Sequence, residues 1–190
     1  MTTRPSLSTA LLIVDVQTGV VADAWARDAV VQNIANAVAR ARAEGVPVLW
    51  VQHQSEELPV GSAPWQWVPA LQPGEGEPLI HKHHNSAFEG TALLAELDRL
   101  GVGHLVLAGA ASNWCIRATA YAALERGFDL TLIADGHTTS DLDLGPGRRV
   151  TAQSVIDDLN TTMQWLSYPG RRNAVVSAAE LSFVPPAAAG

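Results

Sequence analysis

Three residues of this 190-residue chain have side chains suited to covalent catalysis: Asp15, Lys82 and Cys115. They are a carboxylate, an ammonium and the chain's only thiol. Taken singly each has a structural role as readily as a chemical one, because a lone cysteine packs as a small hydrophobe, an aspartate after a strand caps a turn, and a lysine is solvated. Together they supply an acid–base group, a cation and a nucleophile. A free thiol with a pKa of about 8.5 is only a few per cent ionised at neutral pH, and a nearby ammonium or helix N-terminus lowers that value. The cation is distinctive in composition too. Of twelve basic residues eleven are arginine, and only position 82 is lysine, a compact charge that responds to burial where a guanidinium does not.

These residues need elements that bring them together. Apolar runs of strand length occupy 10–15, 46–53, 78–82, 104–109, 129–135 and 173–177, and helical spacing covers 28–45, 91–101, 113–127 and 150–166. Strands alternating with helices predict a three-layer α/β/α fold around a mainly parallel, doubly wound sheet. The length suits one domain over 1–190, with an ordered core from about 7 to 181 and a flexible tail "FVPPAAAG". Ligands of such sheets bind outside the carboxyl ends of the strands. Asp15 and Lys82 end two of the runs and Cys115 follows a third, so all three are expected at one sheet edge. Cys115 is expected in the first turn of helix 113–127, where unpaired N–H groups favour an anion. The Pro-, Gly- and Trp-rich stretch 54–78 reads as a lid or pocket wall.

Composition narrows the partners. A net charge of −7 gives no reason to bind nucleic acid or an anionic membrane, which leaves small molecules or proteins as the expected partners, and a small molecule as the expected substrate. A single cysteine and the lack of a long apolar opening segment favour a cytoplasmic location. Trp25, Trp65, Trp67 and Phe88 are candidate walls of an apolar pocket, Trp114 a candidate for its mouth or an interface, and Gln17, His53, Ser112 and Asn113 candidate polar contacts. The "HKHH" run is a poor metal site, because His81 and His83 alternate away from Lys82 on a strand. No metal or cofactor is expected. Asn160 is a candidate contact with a neighbouring subunit, and the Trp-rich loop suits a homo-oligomer, a dimer or tetramer.

The stretches "ALLIVDVQ", "LIHKHHNSAFEGT" and "LVLAGAASNWCIRATAYAALERGFDLTLIADG" resemble the isochorismatase-like cysteine hydrolases, which include nicotinamidases, N-carbamoylsarcosine amidase, streptothricin hydrolase and biuret-type amidases. The similarity runs from about Leu7 to Leu181. It implies a triad of Asp15, Lys82 and Cys115, a cis peptide between Ala110 and Ala111, and an oxyanion hole from the N–H groups of Ala111 and Cys115. The implied reaction is hydrolysis of an amide or carbamoyl C–N bond through a thioester. Nicotinamidases place an Asp-x-His metal pattern after the second strand; "VQHQ" keeps His53 without the Asp, which disfavours that activity. "GHTTSD" carries Gly136 where the family usually has alanine. Two alternatives stay open: vinyl ether cleavage by the Asp without a cysteine, and a ligand-binding or assembly protein of the same fold.

Overall fold

The computed structural model describes residues 8–186. Its elements are β1 (Ser8–Val14), α1 (Arg27–Ala43), β2 (Val48–His53), β3 (Leu79–Lys82), α2 (Leu93–Arg99), β4 (Val102–Ala110), α3 (Arg117–Glu125), β5 (Asp129–Thr138), β6 (Leu142–Asp143), β7 (Arg149–Val150), α4 (Ala152–Trp165) and β8 (Asn173–Val176). Six strands form one sheet in the order β3-β2-β1-β4-β5-β8, with every neighbouring pair parallel. This is the expected doubly wound arrangement. The order reverses between β1 and β4, whose carboxyl ends therefore flank the crevice such sheets offer to ligands.

Both faces are covered because the central strands are apolar on both. Leu12, Val14, Leu49, Val51, Leu105 and Leu107 point into one core with Leu93 and Leu97 of α2, Ala120 and Leu124 of α3, and Leu159 and Met163 of α4. Leu11, Ile13, Trp50, Val106 and Ala108 point the other way, onto Val30, Ile34, Ala37 and Val38 of α1 and onto Val68, Leu71 and Phe183. Each fully buried Val, Leu, Ile, Phe or Met side chain among them contributes about 1.5–3 kcal/mol. The period-two alternation within β1 and β4 therefore fixes which residues face which layer.

Several expectations need correction. The helix expected over 113–127 opens as a π-helical turn, Ser112–Ile116, before α3 begins at Arg117. β5 continues past its expected end at 135 to Thr138, and the loop after it contains the small antiparallel pair β6–β7. The expected tail is packed at its start: Phe183 is buried and its carbonyl accepts from Thr9 Oγ1 at 2.7 Å. Residues 187–190 of that tail lie outside the described residues. The 54–78 stretch is held from within by Glu77, whose carboxylate accepts from Arg42, from Trp50 Nε1 at 2.6 Å and from the Gly74 N–H at 2.7 Å.

Candidate functional site

Asp15 follows β1 with φ 53°, the left-handed region that costs most residues about 1 kcal/mol and that aspartate tolerates better than most. Its N–H donates to the Val51 carbonyl at 2.9 Å, so the left-handed turn begins while the residue is still tied to β2. Lys82 is the last residue of β3, two strands away. Its Nζ lies 2.6 Å from Asp15 Oδ2 and 3.2 Å from Cys115 Sγ. Asp15 and Lys82 are each 1% exposed, so this is a buried ion pair with a thiol attached. Hydrogen bonds from the Cys115 thiol and the His53 N–H also reach the Asp15 carboxylate.

The approach of β4 to β1 depends on Gly109. Its φ is 133°, and a Cβ there would stand 2.0 Å from the Val14 carbonyl oxygen, immediately before Asp15. The next peptide bond, Ala110–Ala111, is cis. The π-helical turn follows, with the N–H groups of Trp114 and Ile116 both donating to the Ala111 carbonyl, at 3.0 and 3.1 Å. Cys115 is thereby carried to Lys82 by a widened turn instead of the ordinary α-helical first turn expected from the sequence.

The electrostatics also depart from expectation. The thiol was expected to ionise readily, yet burial and then the Asp15 carboxylate push its pKa up to about 12, against the opposing pull of Lys82. Burial likewise raises Asp15, with Lys82 acting in the opposite sense. At rest the proton therefore belongs on sulfur, beside an ion pair able to receive it. His53 is half-buried, and burial and then the Lys82 charge lower its pKa to about 4. Its neutral ring has Nδ1 3.3 Å from Lys82 Nζ, and since an ammonium only donates, Nδ1 is the bare nitrogen. The His84 carbonyl accepts from the same ammonium at 3.1 Å.

The other expected site residues divide. Gln17 is fully buried, and its amide is spent on the chain itself, donating to the carbonyls of His53 and Trp65 and accepting from the His53 N–H, which braces the 54–78 stretch against β2. Trp67 packs edge-on against Trp50 in the core, and Phe88 packs against Phe128 beneath Arg126. Ser112 is fully buried and bonded to His137. Asn160 holds that same histidine. Trp25 and Trp114 are exposed, at 45% and 54%, and Trp65 stacks on His81. Asn113 is partly exposed, and its Oδ1 accepts from Thr139 Oγ1 at 2.7 Å, which leaves its NH2 group for other use.

His137 and Thr139 have no precursor among the sequence candidates. They sit in "GHTTSD", which shows its relation to Cys115 only once β5 extends alongside the end of β4. Among the described residues no three His, Cys, Asp or Glu side chains are grouped to hold a metal ion, and no helix is long and apolar enough to cross a membrane.

Comparison with known proteins places this geometry in a wider set. The family model described as "Isochorismatase domain" matches residues 9–145. A streptothricin hydrolase from Streptomyces noursei is 36% identical over 144 residues, covering 72% of this chain and 52% of that protein. The chain thus spans about half the length of the streptothricin hydrolases it matches. A ureidoacrylate amidohydrolase from Klebsiella pneumoniae is 27% identical over 200 residues, covering 83% of this chain and 82% of that one. Among solved structures, an isochorismatase from Pseudomonas putida superposes with a TM-score of 0.82 at 26% identity, covering 94% of this chain and 93% of its own.

Proposed function

The chain belongs to the isochorismatase family, and from that premise we propose that it is a hydrolase cleaving the C–N bond of a small amide or carbamoyl-type substrate through a thioester on Cys115. The observation that carries the reading is Lys82 Nζ, 2.6 Å from a buried carboxylate oxygen and 3.2 Å from sulfur. In this reading Sγ attacks the carbonyl carbon while Asp15 takes the thiol proton. Lys82 keeps the carboxylate aligned and offsets the charge appearing on sulfur. The N–H groups of Ala111 and Cys115 receive the oxyanion. Asp15 returns the proton to the departing nitrogen, which leaves as amine or ammonia, and then draws a proton from the water that cleaves the thioester.

The amide class is supported by the names of two relatives, an amidohydrolase and a streptothricin hydrolase. A nucleophilic thiol works only while reduced, which fits the cytoplasm, and the exposed indoles of Trp114 and Trp165 suit a homo-oligomer, to be checked by sedimentation. No step of the reaction calls on a cofactor. The test is a panel of small amides assayed for ammonia or amine release, with mass spectrometry of Cys115 for a trapped acyl adduct. Cys115→Ala is expected to abolish turnover, by about 10³-fold or more.

A second reading is favoured by the burial that raises the proton affinity of Asp15, since the carboxyl, once it has taken up a proton, can protonate a vinyl ether. That chemistry does not use sulfur. Activity retained by Cys115→Ala would decide for it.

A further inference from the structure

His137, near the end of β5, is 1% exposed and bonded through both ring nitrogens. Nε2 lies 3.0 Å from Asn160 Oδ1, and Asn160 Nδ2 donates to the Ala134 carbonyl at 3.0 Å. A carbonyl only accepts, so the NH2 group of Asn160 is committed there and its Oδ1 receives the proton of His137 Nε2. Burial lowers the pKa of His137 and keeps the ring neutral. Nδ1 is then bare, and the 2.8 Å contact with Ser112 is donated by the hydroxyl. The relay has one direction, from the Ser112 hydroxyl through His137 and Asn160 to a carbonyl of β5.

Its other end is the turn that carries Cys115. Ser112 is the first residue of that turn and is fully buried, so its hydroxyl is occupied by the ring. The direction of a backbone N–H is set by the turn it belongs to, and a displacement of about 1 Å in a reacting geometry costs about 10²-fold in rate. A buried polar relay has an apolar alternative that packs without desolvation cost, which makes its position at this turn informative.

We propose that His137 is a positioning residue which, through Ser112, holds the Ser112–Ile116 turn so that the Ala111 and Cys115 N–H groups meet the developing oxyanion. The inference rests on the thioester reading above. It separates two reactions of the same sulfur. Attack on p-nitrophenyl acetate forms the Sγ–acetyl bond, releases p-nitrophenolate, passes the thiol proton to Asp15 and develops an oxyanion. Attack on iodoacetamide displaces iodide at a saturated carbon, with no oxyanion.

The experiment measures both rates at Cys115 by mass spectrometry in the full-length protein. His137→Ala and Ser112→Ala are expected to slow acetylation about ten- to hundredfold while alkylation stays within about twofold. A cavity of about 280 Å³ between α1 and α4, lined by His137, Asn160, Ile156 and Val30, gives added imidazole access to the vacated ring position. Imidazole is expected to restore acetylation several-fold in His137→Ala and not in Ser112→Ala. The serine variant empties little core volume and decides the matter if the histidine variant does not fold. Equal acetylation in wild type and variants, or acetylation and alkylation falling together, overturns this inference alone. Wild-type protein that is never acetylated at Cys115 overturns the thioester reading and this inference with it.

Discussion

At the scale of single residues, burial and the Asp15 carboxylate hold the proton on sulfur. The carboxylate is the second largest reason, after burial, that the thiol pKa stands at about 12. Replacing it by a neutral amide removes a raising influence and leaves Lys82 as the one charge bonded to sulfur. Asp15→Asn is therefore expected to lower the pH at which Cys115 is alkylated by iodoacetamide, and under the proposed thioester mechanism acyl turnover is expected to fall by about 10²-fold or more. A pH series of alkylation rates followed by mass spectrometry checks the shift; an unchanged or raised midpoint contradicts the electrostatics. The three residue types and their places at strand ends were readable from the sequence. The sign of the thiol shift was not, because burial is a property of the surrounding layers, and a pattern of residue types along the chain carries no measure of it. The same gap explains Gln17, Trp67 and Phe88: a polar or aromatic side chain suits a pocket wall and a core equally, and only packing separates the two.

At the scale of elements, the site depends on how closely β4 runs beside β1. Gly109 is the contact point, since any Cβ there meets the Val14 carbonyl at 2.0 Å and φ of 133° is hostile to other residues. Gly109→Ala is expected to cost about 2–4 kcal/mol in urea unfolding and to reduce acylation of Cys115 further than stability alone explains. β1, β2, β4 and β5 were legible because both of their faces are apolar, a signal that survives without knowledge of their neighbours. The π-helical turn was not. Its residues continue the apolar spacing of α3, and the extra residue per turn is set by the Ala111 carbonyl, which takes two N–H groups. β5 runs three residues past the end its sequence suggests for a related reason, since Gly136 looks like an end and in fact sits where a Cβ would meet Ile133 at 2.7 Å.

At the scale of the whole molecule, pH acts on stability through buried histidines. Thr9 gives its hydroxyl proton to the Phe183 carbonyl, so its oxygen accepts from His104 Nδ1, and His104 Nε2 accepts from Thr131. The ring is fully buried and neutral, and burial lowers its pKa from 6.5 to about 4. Between those values the unfolded chain binds a proton that the folded one refuses, so stability falls as pH drops from about 6.5 to about 4. Up to about 3 kcal/mol is at stake from this ring. Urea unfolding at pH 7 and pH 4.5 is expected to show the loss, diminished in His104→Gln. The sheet has another property at this scale. Its order divides cleanly into an amino-terminal half, β1 to β3, and a carboxyl-terminal half, β4, β5 and β8, joined along β1 and β4. Asp15 and Lys82 are encoded in the first half and the sulfur in the second. The Lys82–Cys115 contact spans that division, so the surroundings that hold the proton on sulfur come into being only when β4 has paired with β1, and the thiol of an unassembled chain is the easier one to ionise.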